Sequence, residues 1–156
     1  MKGKESVLTM LNRLLSEELT AINQYIVHSE MCDNWGYPRL HTVHEKRAID
    51  EMRHAERLIG RILFLEGVPV VSQYGAIHIG ETVEKQLRND CQAELEAIQE
   101  YNEAIRLASE QGDHGTREIL EDILEDEERH LDWLEAQQDQ IAQMGLGPWL
   151  AEQVRD

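Results

Sequence analysis

The sequence predicts an all-α fold: a four-helix bundle with one long crossover between helices two and three and a short fifth C-terminal helix. Three observations support this prediction. Apolar residues recur at helical spacing in four long segments, and Gly and Pro mark the ends of those segments. One stretch between the second and third segments has an extended character instead. The chain of 156 residues fits a single domain, residues 1–156, that is long enough to bury a core.

The first two predicted helices form a tight hairpin. Helix one covers about residues 5–34, with Leu8, Leu11, Leu15 and Ile22 on its apolar stripe. The Trp35–Pro38 segment interrupts the pattern, because Gly ends helices and Pro begins them. Helix two covers about residues 39–66 and stops at Gly67 and Pro69.

The next segment, Gly67–Gly80, predicts an extended crossover, since it combines three glycines with the β-branched Val70, Val71, Ile77 and Ile79. Its 14 residues reach roughly 46 Å when extended, and a helix of 28 residues spans about 42 Å. The crossover can therefore run the full length of the bundle and leave helices two and three parallel.

The second half repeats the hairpin. Helix three covers about residues 81–111 and helix four about residues 115–144, with a short turn at Gly112–Gly115 between them. The Gly145–Pro148 segment then ends helix four, and a fifth helix is predicted over about residues 148–155.

Two copies of one motif carry the chemistry. Glu51 and His54 form a Glu-x-x-His pair, and Glu127 and His130 form another 76 residues later. Glu and His at this spacing project from one face of a helix. A further glutamate precedes each motif by 33 residues, Glu18 in the first half and Glu94 in the second. The common offset indicates an internal duplication of a helical hairpin that carries Glu and Glu-x-x-His each time. Other residues match at the same offset, among them Tyr25 with Tyr101 and Asp50 with Asp126.

The register of the hairpins brings these residues to one level. In each hairpin both glutamates lie roughly 16 residues, or about 25 Å, from the turn. They also interrupt apolar stripes, so they face the core. A bare carboxylate is costly to bury, and buried charges are therefore paired or bind metal. Two divalent cations would balance the four carboxylates. Mixed oxygen and nitrogen ligands without thiolates favour iron or manganese over calcium, magnesium or structural zinc.

With these motifs the sequence resembles the bacterioferritin family from end to end. Further segments shared with the family pattern are Asn23–Tyr25, Asn34–Gly36, Asp50–Met52, Arg61–Gly67 and Asp132–Glu135. The resemblance implies a ferritin-like bundle and a function in iron storage and detoxification. It also implies ferroxidase activity, in which Fe²⁺ is oxidised by dioxygen and ferric mineral is deposited inside a hollow shell of 24 subunits built from dimers.

The resemblance also assigns residues to roles. It implies a di-iron centre with two Fe per subunit, the bridging pair being Glu51 and Glu127. The full ligand set is Glu18, Glu51, His54, Glu94, Glu127 and His130. Tyr25 is an additional candidate, which either hydrogen-bonds a ligand or supplies an electron, or simply packs in the core. A pore between subunits would be lined by Asn34, Glu66, Asp132 and Glu135. Lys46 stands where some members have an inner-surface histidine ligand.

Met52 distinguishes this family from other ferritins. It lies between Glu51 and His54, so about 100° of helix rotation directs it away from the metals. The residue alone predicts packing, since methionine fills gaps readily. The resemblance implies instead that Met52 is the axial ligand of a haem b shared between two subunits. The haem would pass electrons inward for iron release, with a ferredoxin-type protein as the reductant.

Composition limits the alternatives. The net charge of −16 argues against nucleic acid and anionic membranes as partners. The two cysteines and the absence of a secretory signal or a membrane span lead us to expect a cytoplasmic protein. Two other functions remain open: a rubrerythrin-like or manganese-dependent di-metal redox enzyme, and a bundle that only buffers metal. Rubrerythrins carry a second metal module built on Cys-x-x-Cys, and this sequence contains no such motif.

Overall fold

The computed structural model describes residues 1–156 and contains five helices and no strand. The helices are α1 (Glu5–Asn34), α2 (Pro38–Phe64), α3 (Val83–Glu110), α4 (His114–Met144) and α5 (Leu146–Gln153). Helix α1 packs along α2, and α3 packs along α4, so each half is a helical hairpin. The predicted all-α fold is confirmed.

Local chemistry explains the helix ends. Pro38 opens α2 in its first turn, where a missing N–H costs no hydrogen bond. The side chains of Thr82 and Asp113 cap α3 and α4 by accepting from the N–H groups of Lys85 and Thr116. In the two hairpin turns Gly36 and Gly112 adopt φ values of 82° and 72°, a region that favours glycine.

The fifth helix differs from the prediction at its start. It begins at Leu146, two residues before the predicted residue 148, so that Pro148 lies inside its first turn. Proline is accepted there because the first N–H groups of a helix have no intrahelical partner. The first intrahelical hydrogen bond of α5 runs from the Trp149 N–H to the Gly145 carbonyl at 3.3 Å, so the missing N–H of Pro148 costs none. Helix two likewise ends at Phe64, slightly before the predicted residue 66.

The crossover is extended and is held by side chains of α1. Backbone N–H groups of Val70, Gly75, His78 and Gly80 donate to successive acceptors along this helix. The acceptors are Asn12 Oδ1 at 2.8 Å, Thr20 Oγ1 at 2.7 Å, Gln24 Oε1 at 3.1 Å and His28 Nε2 at 2.9 Å. Residue numbers rise together in the crossover and in α1 along this series of hydrogen bonds, so the crossover runs in the same direction as α1. Helices α2 and α3 are therefore parallel, as predicted.

The buried interior has three parts. A large apolar cluster, which includes Leu11, Leu58 and Leu120, fills one end of the bundle. A smaller cluster around Leu87, Leu134 and Trp149 fills the other end and receives α5. Between them the buried side chains are mostly polar or charged, and this middle layer contains the site.

Candidate metal centre

The six residues with predicted metal-ligand roles converge in the middle layer, one glutamate from each of α1 and α3 and a Glu-x-x-His pair from each of α2 and α4. Two groups of four form there, and within each group the candidate ligand atoms lie within 4.8 Å of one another. One group is Glu18, Glu51, His54 and Glu127, and the other is Glu51, Glu94, Glu127 and His130. All six residues are buried.

The two groups share Glu51 and Glu127. Each group then adds a glutamate and a histidine from a single hairpin, Glu18 with His54 in the first and Glu94 with His130 in the second. The arrangement has the form of two adjacent cation positions with a common pair of carboxylates.

The atoms facing one another at this centre have no hydrogen-bond partner. They are Glu18 Oε2, both Glu51 oxygens, His54 Nδ1, Glu94 Oε2, Glu127 Oε1 and His130 Nδ1. His54 Nδ1 lies 3.1 Å from Glu127 Oε1 and 3.5 Å from Glu51 Oε2, yet without hydrogen-bond geometry. Buried polar atoms are normally paired. A metal ion ligated by carboxylate oxygens and imidazole nitrogens accounts for all seven, so the donor set fits a pair of iron ions.

Two tyrosines hold the terminal glutamates. The Tyr25 hydroxyl donates to Glu94 Oε1, and the Tyr101 hydroxyl donates to Glu18 Oε1, each at 2.5 Å. Each bond joins the two halves of the chain, and each leaves the other oxygen of the glutamate free toward the centre. Tyr25 therefore hydrogen-bonds a predicted ligand, although the partner is on α3 and not the nearer Glu18.

Two aspartates orient the imidazoles. His54 Nε2 lies 2.9 Å from Asp126 Oδ2, and His130 Nε2 lies 3.2 Å from Asp50 Oδ2. An ionised carboxylate accepts hydrogen bonds only, so each imidazole carries its proton on Nε2. When the ring is neutral, this leaves the lone pair of Nδ1 directed to the centre, which is the tautomer that a metal ligand needs.

The pKa shifts at the centre reflect burial and mutual repulsion. Burial raises the pKa of both Glu18 and Glu127 well above the usual value, and the charge of Glu51 adds to this effect. Burial lowers the pKa of His130, but Glu51 and Glu94 outweigh it and raise the pKa to about 9. For His54 burial is likewise outweighed by neighbouring glutamates, Glu127 first, so its pKa is raised. The carboxylates thus stabilise positive charge on the two histidines, and they would stabilise a bound metal cation for the same reason.

A cavity of about 290 Å³ leads to the centre between α1, α3 and the crossover. Its lining includes the buried Glu18, Glu51, Glu94 and Glu127, together with three further acidic residues, Glu17, Glu96 and Glu100. Burial raises the pKa of Glu17, and the charges of Glu100 and Glu96 raise it further against the opposing effect of Arg13. These carboxylates are therefore close enough to repel one another.

Met52 faces away from the centre, as the helical spacing predicts. Its side chain is 45% exposed and lines a groove of about 320 Å³ with Ile22, Ile26 and Ile49. The predicted pore residues Asn34, Glu66, Asp132 and Glu135 are all exposed.

Sequence reasoning did not assign roles to Tyr101, Asp50 and Asp126 at the centre. The signal was present, because Tyr101 matches Tyr25 and Asp126 matches Asp50 at the 76-residue offset. A residue repeated at the offset of the ligands is a candidate for the same site. The cavity could not be read from the sequence, because it depends on how the crossover packs.

Comparisons with known proteins agree with this geometry. The sequence matches the ferritin-like domain family over residues 8–144. It is 40% identical over 152 residues to a bacterioferritin of Mycolicibacterium paratuberculosis, covering 97% of this chain and 96% of that protein. It is 41% identical over 155 residues to a bacterial ferritin of Synechocystis, covering 99% of each chain. A bacterioferritin of Brucella melitensis is 38% identical over 145 residues, or 93% of this chain and 90% of that protein.

The fold and the centre define a ferritin-like four-helix bundle with buried carboxylate and histidine groups that can hold metal. The chain belongs to the bacterioferritin family, as the sequence resemblance indicated. Its function is iron storage, and the relatives found here favour this over a rubrerythrin-like or manganese-dependent enzyme. None of the five helices combines the length and apolar character that crossing a membrane requires.

Proposed function

We propose that this iron-storage protein is a ferroxidase that takes two Fe²⁺ into the buried centre of each subunit and oxidises them with dioxygen. Glu18 and His54 would hold one ion, Glu94 and His130 the other, and Glu51 and Glu127 would bridge both. The observation that carries the proposal is the set of seven buried, unpartnered oxygen and nitrogen atoms that face one another. Iron is the substrate here, and each Fe²⁺ gives up one electron to dioxygen.

The residues of the chain supply charge and geometry. Four carboxylates balance two divalent cations, so Fe²⁺ enters without leaving net charge buried. Asp126 and Asp50 keep both Nδ1 atoms available, and Tyr25 and Tyr101 fix the terminal carboxylates. Apolar clusters pack against the centre on either side along the bundle.

The test is an anaerobic addition of two Fe²⁺ per subunit, followed by air and recorded by absorbance. The wild-type protein should show a fast oxidation phase that saturates at two Fe²⁺ per subunit. His130→Ala should abolish this phase, whereas His114→Ala, an exposed histidine on the same helix, should keep it. A His130→Ala variant that oxidised Fe²⁺ at the wild-type rate would refute the assignment.

We also propose that Met52 binds haem b between two subunits. The groove fits this group in character, because Ile22, Ile26 and Ile49 offer an apolar surface beside an exposed thioether. When bound, the haem supplies a one-electron carrier, and methionine ligation favours its ferrous state relative to bis-histidine ligation. In this chain Met52 would hold the haem iron, and Ile22, Ile26 and Ile49 would provide the apolar surface beside it.

Absorbance of the purified protein tests the haem site. Met52→Leu should lose the Soret band and keep fast iron oxidation, because Met52 faces away from the buried centre. Met144→Leu is a matched control, since Met144 is 47% exposed and lies at the end of α4. A full haem complement in Met52→Leu would refute the ligand assignment.

For assembly and cellular context we propose a homo-oligomeric shell of 24 subunits built from dimers. The chain would work in the cytoplasm, with a ferredoxin-type protein supplying electrons for iron release. The exposed apolar residues Leu63, Phe64 and Val68 support burial against other subunits. Light scattering should give a particle of several hundred kDa from the 18.1 kDa chain. A monomeric or dimeric protein would contradict the shell.

A further inference from the structure

The only lysine or arginine that the fold buries is Arg47 of α2, with 9% of its surface exposed. Its Nη1 atom has no hydrogen-bond partner, and no carboxylate forms an ion pair with it. Arg61 on the same helix, by contrast, pairs with Asp113 at 2.8 Å. A buried charge is normally paired, because it has lost its stabilisation by water. The charge of Arg47 therefore acts on its surroundings without a direct counterion.

The helical register places Arg47 beside one of the two candidate metal positions, which we name the His54 position and the His130 position after their histidines. The Cζ atom of Arg47 lies 5.7 Å from the ring centroid of Trp133 on α4. Trp133 follows His130 by three residues, so this contact lies about one turn from the His130 position. His54 lies seven residues, or roughly 10 Å, farther along α2 than Arg47. The charge of Arg47 should therefore act mainly on the His130 position.

The protonation of His130 shows the direction of this effect. Burial lowers the pKa of His130, and two neighbouring glutamates outweigh burial and raise it. The charge of Arg47 opposes that rise in the pKa. A divalent metal ion at the same imidazole nitrogen carries more charge than a proton, so the repulsion by Arg47 acts on it more strongly.

Other polar groups in the same buried layer leave this charge in place. Asp90 of α3 is buried, but its Oδ1 atom accepts from Gln24 Nε2 at 2.8 Å and lies 2.9 Å from His28 Nδ1. His44, one turn before Arg47 on α2, has its Nδ1 atom 3.6 Å from Asp90 Oδ2. Burial lowers the pKa of His44 to about 4, so at pH 7 this imidazole is neutral. Removal of the Arg47 charge therefore makes the surroundings of the centre more negative by one unit.

The duplicated half of the chain has no buried charge at the equivalent place. At the 76-residue offset Arg47 matches Ile123, which is fully buried in the large apolar cluster. Trp133 matches Arg57, but this arginine is exposed and pairs with Asp122 at 3.1 Å. An exposed, paired charge is screened by water and salt and contributes little. The two metal positions thus have the same types of ligand and different electrostatic surroundings.

We propose that Arg47 is a selectivity-determining residue that weakens cation binding at the His130 position and leaves binding at the His54 position nearly unchanged. The inference rests on the proposed ferroxidase function for the use of this difference. Fe²⁺ should occupy the His54 position first. Oxidation of both ions adds two positive charges to the centre, so the repulsion by Arg47 grows. Fe³⁺ should therefore leave the His130 position first.

The test is a calorimetric titration of Co²⁺ into the assembled, metal-free protein. Arg47→Gln removes the charge and Arg47→Lys keeps it, whereas the control Arg53→Gln removes an exposed charge that is closer in sequence to the ligands. In Arg47→Gln the weaker of the two Co²⁺ binding constants should rise about 10-fold, because a buried charge is poorly screened. The stronger constant should change by less than about 2-fold. Arg47→Lys and Arg53→Gln should keep both constants of the wild type.

Ligand variants assign the effect to one metal position. In a His54→Ala background only the His130 position keeps its ligands, and the further change Arg47→Gln should raise its Co²⁺ affinity about 10-fold. In a His130→Ala background only the His54 position keeps its ligands, and the same change should have little effect. A merely structural role of Arg47 would alter both backgrounds alike. If Arg47→Gln does not assemble, Arg47→Met, which keeps an extended side chain without a charge, serves in the same comparisons.

The outcomes separate this inference from the proposed function. Two bound Co²⁺ with binding constants that Arg47→Gln leaves unchanged would overturn the role of Arg47 and leave the buried ferroxidase centre intact. An equal rise of both constants in Arg47→Gln, or the same rise in Arg53→Gln, would likewise overturn the inference. A protein whose Co²⁺ binding is unaffected by His54→Ala/His130→Ala would overturn the buried centre, and the proposed function with it.

Discussion

The aspartates behind the imidazoles offer a sharp test of how the centre is built. We predict that Asp126→Asn weakens metal binding although Asp126 is not itself a candidate ligand. The carboxylate of Asp126 lies 2.9 Å from His54 Nε2, a distance expected for a charge-assisted hydrogen bond. Asp50 lies farther from His130 Nε2, at 3.2 Å. The effect of the substitution should therefore be larger at Asp126 than at Asp50.

The size of the effect follows from what each substitution removes. Loss of an outer partner of a metal-bound histidine costs 10-fold to 100-fold in affinity. Asparagine still accepts the Nε2 proton but carries no charge, so Asp126→Asn should lose about 10-fold, or about 1.4 kcal/mol. Asp126→Ala removes the acceptor as well, which frees the ring to turn and the proton to move to Nδ1. Its loss should approach 100-fold.

Calorimetric titration of Co²⁺ into the metal-free protein measures these losses without oxidation. Asp122→Asn is the matched control: it lies one turn earlier on α4, is exposed, and contacts Arg57 at 3.1 Å instead of a histidine. It should bind Co²⁺ as the wild type does. The reasoning would be refuted if Asp126→Asn and Asp126→Ala both retained wild-type affinity, or if Asp122→Asn weakened binding equally.

Three further predictions follow from the contacts. Tyr101→Phe should slow iron oxidation as much as Tyr25→Phe, because each hydroxyl holds one terminal glutamate at 2.5 Å; a normal rate in Tyr101→Phe in a stopped-flow assay would contradict this equivalence. Asp113→Ala should cost about 1 kcal/mol at pH 7 through loss of the α4 cap. Burial raises the pKa of Asp113, but hydrogen bonds from Thr116 and Arg61 outweigh this effect, so the net pKa is lowered. The ionised carboxylate therefore stabilises the fold at neutral pH, and this stabilisation is lost as the pH falls below about 4. Thermal melts should show the melting temperatures of the variant and the wild type converging in that range. Truncation after Gly147 should lower the melting temperature and weaken the shell, because it removes the buried Trp149; an unchanged particle by light scattering would argue against that role.

The helical periods and the duplication allowed much of the fold and the candidate ligands to be predicted. The apolar stripe of each helix determines which residues face the core, and the equal distance of each glutamate from its hairpin turn determines its level along the bundle. Glu18, Glu51, Glu94 and Glu127 therefore meet as the register requires. The start of α5 was predicted two residues too late, because proline is accepted at several positions of a first helical turn and so does not mark the first residue.

The hydrogen bonds around the ligands could not be predicted in the same way. They depend on helix rotation of a few tens of degrees and on the choice of rotamer. The sequence did not indicate which ligand Tyr25 would contact, and its hydroxyl reaches Glu94 across the bundle. The aspartates likewise pair with the histidine of the opposite hairpin. Neither half of the duplicated chain thus completes its own site.

The crossover explains where the internal symmetry ends. Its backbone N–H groups need acceptors, and α1 supplies those that come from side chains. Thr20 and Gln24 supply two of them. At the 76-residue offset the corresponding residues of α3 are Glu96 and Glu100, which have no crossover to hold. The same two helix positions therefore anchor the connection in one half and place carboxylates in the lining of the cavity beside the centre in the other. Because the crossover takes its side-chain acceptors from the first hairpin only, the duplicated chain has a symmetric pair of candidate metal positions beside a cavity that is itself asymmetric.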